Sequence, residues 1–146
     1  MDYHDYSLDK SLGYKLAKSS RLLTNRLNQT FREHGLPITV EQWSIMVQLW
    51  ENDGLTQNDL AILTDKDQPS VSRLIDNMIK RNLVKRVPHP TDRRTNLIYL
   101  SPFGSEIQKE LISLVLKTLA ETSKGIDPKE MEICFSVLDR VIENLK

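Results

Sequence analysis

Short hydroxyl and long cationic side chains lie along one face of a helix that we predict in the middle of the chain. The polar set consists of Ser70, Ser72, Arg73, Asp76, Asn77, Lys80 and Arg81. This set differs from the mixed Glu and Lys residues that are typical of a helix face that contacts only water. Hydroxyl, amide and guanidinium groups can bond to base edges and phosphates. This face therefore indicates a surface that contacts a DNA groove.

The apolar residues behind this polar face predict an α-helix. They recur at the i, i+3, i+4, i+7, i+8 spacing of a single helical stripe, at Val71, Leu74, Ile75, Met78 and Ile79. Asp67 can cap the N-terminus of the helix, and Pro69 falls in the first turn, where a missing N–H costs nothing. We expect Asn82 to end the helix, since asparagine tolerates the left-handed conformation of a C-cap.

A β-hairpin is predicted directly after this helix. Two extended runs, residues 83–88 and 96–100, are separated by the turn-rich segment HPTDRRT. The tip of the hairpin carries the charged residues Asp92, Arg93 and Arg94. A shorter helix at residues 56–63 precedes the polar helix, and the two together make a helix-turn-helix. We expect three apolar residues of the shorter helix to face inward, Leu60, Ile62 and Leu63.

Charge is unevenly distributed along the chain. Twenty basic and twenty acidic side chains give a formal charge of zero, which argues against indiscriminate nucleic-acid binding. Residues 73–94, a window chosen around the helix and the hairpin, hold seven basic and two acidic side chains, a local charge of +5. The rest of the chain therefore carries −5, and the basic segment coincides with the polar face and the hairpin tip.

Amphipathic helices are also predicted on both sides of this segment. Two helices, at residues 9–34 and 39–52, precede it, and two more, at residues 101–123 and 127–146, follow it. The helix at 39–52 is apolar nearly all round and should be buried, whereas the outer helices carry stripes that a single copy leaves uncovered. A second copy would cover them, and two-fold homodimers are the commonest solution. In such a dimer, the two copies of the polar helix would lie about one turn of the DNA duplex apart, ~34 Å.

The composition predicts a single folding unit of 146 residues with no membrane span and no secretory signal. We expect a cytoplasmic protein, and the single cysteine, Cys134, agrees with a reducing compartment. Cys134 lies in the apolar stripe of the last helix, where we expect a buried thiol, and a redox role is the less favoured alternative. The histidines, His4, His34 and His89, lack paired ligand spacing, so we expect surface histidines and no metal, cofactor or catalytic group.

The order of these elements, together with the segment DQPSVSRLIDNMIKRNLVKRVPHPTDRRTNLIYLSPFG, resembles the multiple-antibiotic-resistance regulator (MarR) family of dimeric transcription factors. The S-x-x-R-x-I-D-x-M step, the NLVKR strand entry and the DRR hairpin tip occur at the family's spacing, although Asn82 stands where glycine is usual. The resemblance implies a mostly α fold with a small β-hairpin wing. A winged helix-turn-helix lobe of about residues 38–101 would join N- and C-terminal dimerisation helices at about 8–34 and 102–146.

The resemblance also implies where double-stranded DNA would bind. The polar helix would enter the major groove of a pseudo-palindromic operator, and the wing would reach the neighbouring minor groove. The implied DNA-binding residues are Gln68, Ser70, Ser72, Arg73, Asn77, Lys80, Lys85, Asp92, Arg93 and Arg94. Arg94 suits the narrow, electronegative minor groove, and Asp92 can hold its guanidinium. The alternatives are that Asp92 is only a turn residue, and that Arg81 and Lys85 only solvate the surface.

The function that the resemblance implies is a homodimeric, sequence-specific regulator, with repression favoured, whose operator affinity is changed by a small-molecule effector. Effectors in this family commonly occupy a cleft between the dimerisation helices and the DNA-binding lobe. Four residues are available to line it here, Tyr14, Phe31, Trp43 and Met46, and each also fits the core. The alternative function is a winged-helix protein-interaction module without specific DNA binding, which would have no need of a cationic wing. No enzymatic activity is predicted.

Overall fold

The computed structural model describes His4 and residues 6–146, and within them it contains seven α-helices and a small antiparallel sheet. The elements are α1 (Leu12–Glu33), α2 (Val40–Glu51), β1 (Leu55–Thr56), α3 (Gln57–Leu63), α4 (Gln68–Lys80), β2 (Val84–Pro88), β3 (Asn96–Leu100), α5 (Pro102–Glu106), α6 (Gln108–Thr122) and α7 (Pro128–Leu145). The predicted class, mostly α with a β-hairpin wing, is confirmed. None of the described helices has the length and apolar character needed to cross a membrane.

Helix α2 lies in the core, as its nearly all-round apolar character predicts. Its residues Ile45, Met46 and Leu49 are almost completely buried. Phe31 of α1 and Ile75 of α4 join them in one continuous cluster of buried side chains. This cluster ties α4 to the rest of the molecule, so the apolar stripe of α4 faces inward and its polar face is left toward solvent.

Local capping interactions start the helices where the sequence indicates. Thr39 and Gln42 form a reciprocal capping box at the start of α2. The Asp67 carboxylate accepts the backbone N–H of Ser70 at the start of α4, over a distance of 2.7 Å. At the other end of α4, Asn82 has a φ of 60°, so the predicted left-handed residue after the helix is confirmed.

The sheet has the strand order β1-β3-β2. Strands β2 and β3 form the predicted hairpin, with Val84 opposite Leu100 and Pro88 opposite Asn96. The two-residue strand β1 was not predicted, because a pair of residues is too short to show a period. Helix α5 packs closely against the base of the hairpin, where a Cβ added to Gly104 would lie 2.2 Å from the carbonyl oxygen of Leu83.

Several predicted details differ in the structure. In α3, Leu60 is buried as expected, but Ile62 and Leu63 are 66% and 50% exposed and Ala61 is buried instead. At about 100° per residue, a seven-residue helix turns only one narrow face to the core, and positions 60 and 61 occupy it. The first helix begins at Leu12, after a 3₁₀ turn, and the helix predicted at 101–123 is divided into α5 and α6 at Ile107.

Helix α7 buries none of its side chains completely within this single chain. Its exposed apolar residues include Ile133, Phe135, Val137, Ile142 and Leu145. Cys134 is exposed as well, so the expected burial of its thiol is wrong for the isolated chain. The burial was inferred from an apolar stripe, but a stripe is covered only where another element packs on it.

Candidate nucleic-acid interface

The polar face of α4 is accessible along its length. Arg73, Asn77 and Lys80 are exposed, and Ser70 and Ser72 are half-buried near the N-terminal end of the helix. The Arg73 guanidinium donates a long hydrogen bond, 3.4 Å, to the Ser70 hydroxyl. Because this contact is weak, the guanidinium can exchange it for an acceptor on DNA.

A local electrostatic interaction fixes the start of α4. The backbone N–H of Ser70 lowers the pKa of the Asp67 carboxyl, and the Ser70 side chain and the Arg73 charge act in the same direction. Asp67 therefore stays ionised as the N-cap at neutral pH. The first turn of α4, which carries Gln68 and Ser70, is held in a defined conformation by this cap.

The wing tip is organised around Asp92. Its carboxylate accepts the backbone N–H of Arg94 at 3.0 Å and the Thr95 hydroxyl at 2.8 Å. These two bonds, in that order, lower the pKa of Asp92. No ion pair joins Asp92 to the Arg94 guanidinium in the described residues, so the expected guanidinium contact is not formed. Asp92 serves as the turn residue of the alternative interpretation.

His89 also shapes the wing tip, which the sequence interpretation did not foresee. Its Nδ1 accepts the backbone N–H groups of Thr91 and Asp92, each at 3.2 Å. Its own backbone N–H donates to the carbonyl of Thr95 at 3.0 Å. His89 is half-buried and its ring closes the turn, rather than lying freely on the surface. The signal was the position of His89 at the start of the HPTD turn.

The wing and the start of α4 meet at a narrow polar cleft of about 190 Å³. Its lining consists of Gln57, Asn58, Gln68, Arg94, Thr95 and Asn96. The Gln68 amide donates to the Asn58 side chain at 2.6 Å, which links α4 to α3. The structure thus brings Gln68 and Arg94, predicted from separate segments, to one place. Sequence reasoning missed Asn58 and Asn96, which add two amide groups to the cleft.

Two of the seven cations in the basic segment are committed to the fold. Arg86 of β2 forms an ion pair with Asp76 of α4 at 2.9 Å and donates to the Gln57 side chain at 3.3 Å. Arg81 donates to the Pro37 carbonyl at 3.3 Å and to the Gln42 side chain at 3.2 Å. Arg81 is thus a structural link, rather than the solvating residue of the alternative interpretation. The cations of this segment that project from the fold without such links to other described residues are Lys80, Lys85, Arg93 and Arg94.

The four residues considered for an effector cleft lie in different environments in this single chain. Phe31 and Met46 are fully buried in the core. Tyr14 lies near the start of α1, with the Lys18 ammonium 5.8 Å from its ring centroid. Trp43 is half-buried, and its indole N–H has no hydrogen-bond partner in the described residues. The described residues also contain no cluster of three or more potential metal ligands.

Comparisons with known proteins agree with this geometry. The model of the MarR family matches residues 38–95, which span α2 to the wing. An HTH-type transcriptional regulator of Mycobacterium tuberculosis (strain CDC 1551 / Oshkosh) is 29% identical over 130 residues, which cover 88% of this chain and 91% of that protein. The matched family segment is therefore the part of the chain that carries the polar helix face and the wing.

Solved structures share the fold over nearly the whole chain. The structure of Bordetella bronchiseptica BpsR, whose DNA binding is regulated by 6-hydroxynicotinic acid, has a TM-score of 0.83 at 22% identity and covers 93% of this chain and 96% of its own. A mutant of MarR from E. coli, complexed with operator DNA, has a TM-score of 0.82 at 22% identity, over 89% of this chain and 92% of its own. The family match shows that residues 38–95 of this chain are a segment of the MarR family type, and the relative and the solved structures show that the chain as a whole is similar to transcriptional regulators and shares the fold of MarR structures.

Proposed function

We propose that this protein is a homodimeric, sequence-specific regulator that binds a pseudo-palindromic operator and acts as a repressor. The observation that carries the proposal is the polar cleft at which the first turn of α4 meets the Arg94 wing tip. An α-helix fits the major groove of DNA, and a cationic hairpin beside it can contact the adjacent minor groove. Operator binding requires access to the genome, so the proposal includes a cytoplasmic location.

Base recognition falls to the N-terminal half of α4 in this proposal. Ser70, Ser72 and Arg73 would contact base edges, with Arg73 forking onto guanine after it releases the weak Ser70 contact. Gln68 and Asn77 would extend the same contact surface, since both are exposed on the helix. The remaining exposed cations, Lys80, Lys85 and Arg93, would bind phosphates, and Arg94 would enter the minor groove.

Dimerisation is proposed because helix α7 has an apolar stripe that the rest of the described residues leave largely exposed. Leu12 and Leu22 of α1 and Leu116 of α6 are also exposed. Packing these surfaces against a second copy would remove a large apolar area from water. The whole chain is then one unit, in which the lobe at about 38–101 binds DNA and the helices at about 8–34 and 102–146 form the dimer.

A small-molecule effector is proposed to weaken operator binding. BpsR, which shares the fold, supports this part of the proposal, since 6-hydroxynicotinic acid regulates its DNA binding. An effector can release DNA only by binding more tightly to a dimer shape that fits the operator poorly. Linkage then requires that an effector which weakens DNA binding tenfold, about 1.4 kcal/mol, binds the DNA complex tenfold more weakly.

Genomic footprinting with the purified protein tests the proposal and provides the operator. Arg94→Ala should then weaken operator binding by about 1–3 kcal/mol, and the loss should be larger on operator than on random DNA. Arg93→Ala is the matched control, because loss of a phosphate contact should weaken binding to operator and to random DNA alike. It should also reduce the slope of log affinity against log salt concentration by about 1. A protein that footprints nowhere and binds all duplexes equally would instead favour the protein-interaction module.

A further inference from the structure

The His89 ring holds the wing tip through a hydrogen-bond acceptor. Its Nδ1 lies 3.2 Å from the backbone nitrogen of Thr91 and 3.2 Å from that of Asp92. A backbone N–H group only donates, so Nδ1 must present its lone pair and the ring proton must lie on Nε2. The Thr91 hydroxyl, 3.4 Å from the same nitrogen, points to the same assignment. The turn is therefore built on a neutral imidazole ring.

His34, at the end of α1, has the opposite arrangement. Its Nδ1 lies 2.9 Å from the carbonyl oxygen of Thr30, which only accepts, so this nitrogen carries a proton whatever the charge of the ring. A second proton on His34 goes to Nε2 and leaves the bond in place. A second proton on His89 goes to Nδ1 and removes the lone pair that the turn uses. Of these two rings, only that of His89 loses its bonds on protonation.

The bonds of His89 continue to the Arg94 backbone. Nδ1 of His89 accepts the N–H of Asp92, and the Asp92 carboxylate accepts the N–H of Arg94 at 3.0 Å. The backbone N–H of His89 also donates to the Thr95 carbonyl at 3.0 Å, which closes the base of the loop. Asp92 is thus the one residue between the His89 ring and the Arg94 backbone in this series of bonds. The placement of Arg94 at the wing tip depends on the His89 lone pair.

Asp92 is the charged group of the turn that responds to the ring. Its pKa is lowered first by the N–H of Arg94, then by the Thr95 hydroxyl, and to a smaller extent by the charge of His89. No carboxylate forms an ion pair with the ring within the described part of the chain. A protonated ring can donate to the Asp92 carboxylate in competition with the Arg94 N–H. Protonation therefore removes the first bonds of the series and weakens the next one.

The elements beside the wing carry further charged and titratable groups. Those of α3, α4, β2 and β3 are Asp59, Arg73, Asp76, Lys80, Lys85, Arg86 and Tyr99. Asp59 caps α3, and Asp76 pairs with Arg86. The bonds of the His89 ring in the described residues all lie within the turn itself. The turn therefore changes with the charge of His89 rather than with that of a neighbouring element.

We propose that His89 is a positioning residue for Arg94, and that operator recognition weakens when its ring is protonated, because only the neutral ring holds the wing tip. Imidazole groups change charge between about pH 5 and 8. Protonation also adds a positive charge, which attracts DNA of any sequence, so the affected quantity is the ratio of operator affinity to random-DNA affinity. The effect on DNA rests on the proposed function, whereas the response of the turn does not.

Nitrogen-15 NMR of the full-length protein without DNA tests the turn. At pH 7.5 the His89 ring should be the Nε2–H tautomer, and the amide resonances of Thr91, Asp92 and Arg94 should shift on acidification with the midpoint of the ring. In His89→Asn the side-chain oxygen can accept the same N–H groups without titrating, so these amides should no longer follow that midpoint. His34→Gln is the matched control and should behave as the parent does. An Nδ1–H tautomer of His89, or amides that do not follow its ring, would overturn the proposal.

The consequence for recognition is measured with operator and random duplexes at constant ionic strength. Between pH 7.5 and 5.5 the affinity ratio should fall about threefold to tenfold in the parent, as expected for the net loss of one hydrogen bond. It should stay constant in His89→Asn and fall as in the parent in His34→Gln. A ratio that is constant in the parent, or that falls as much in His89→Asn, would refute the positioning role. A turn that titrates with His89 in a chain that recognises no DNA sequence would refute the proposed function and leave the response of the turn standing.

Discussion

Arg86 should hold the wing against the helix-turn-helix, and replacing it should loosen both. Its guanidinium bridges two elements, through Asp76 of α4 at 2.9 Å and Gln57 of α3 at 3.3 Å. The Arg86 and Asp76 side chains are 28% and 54% exposed, so solvent screens the ion pair to a value of about 0.2–1 kcal/mol. The long hydrogen bond to Gln57 adds about 0.5 kcal/mol, which is the lower end of the range for a hydrogen bond to a neutral acceptor.

Arg86→Gln should therefore lower the free energy of unfolding by about 1 kcal/mol, measured by urea denaturation at low salt. Lys85→Gln is the control, because Lys85 precedes Arg86 in the same strand and the substitution removes the same charge. The Lys85 side chain has no hydrogen-bond or ion-pair partner in the described residues. A double-mutant cycle with Asp76→Asn isolates the ion pair. Its coupling energy should shrink as salt is added, since the pair is partly exposed.

The two variants should also differ on DNA. Arg86→Gln should weaken operator binding by displacing the wing, with little change in the dependence on salt, because Arg86 is engaged within the protein. Lys85→Gln should reduce the salt slope by about 1 if Lys85 binds a phosphate as proposed. Equal urea midpoints for the two variants, together with a coupling energy of zero, would refute the assignment of Arg86 as the link between wing and helices.

Three further outcomes are expected. Gly104→Ala should destabilise the protein by about 1–3 kcal/mol in urea, because its Cβ has no space, while Gly13→Ala, in open space within α1, should be neutral or stabilising. Phe135→Glu should shift the mass found by light scattering from dimer to monomer, and an unchanged dimer would exclude this face of α7 from the interface. The folded-state pKa values of Asp67 and Asp92 are lowered, so these carboxylates stabilise the protein at pH values above their unfolded pKa near 3.8, and this contribution is lost as pH falls through the folded pKa values. The difference in urea midpoint between the parent and Asp67→Asn should therefore become smaller on acidification below pH 4. A difference that stays constant with pH would contradict this expectation.

Local features of the sequence determined most of the fold. Apolar residues at helical spacing identified α2, α4 and α6, and the Asp67 cap and the left-handed Asn82 were predicted at the correct positions. These features depend on residues within about four positions of each other, so they can be recognised without the fold. The same reasoning placed the basic tip of the wing, because turn residues and alternating strands are also local signals.

The tertiary structure decided which polar side chains are available. Arg81 and Arg86 have the same residue type as Arg94, but the fold places acceptors 39 and 10 residues away in sequence beside them, at Gln42 and Asp76. No local pattern distinguishes a guanidinium that has such a partner from one that projects into solvent. The sequence by itself therefore determined that this segment is a basic winged helix. Only the packing of distant segments decided which of its cations remain for DNA and which hold the wing and the recognition helix in place.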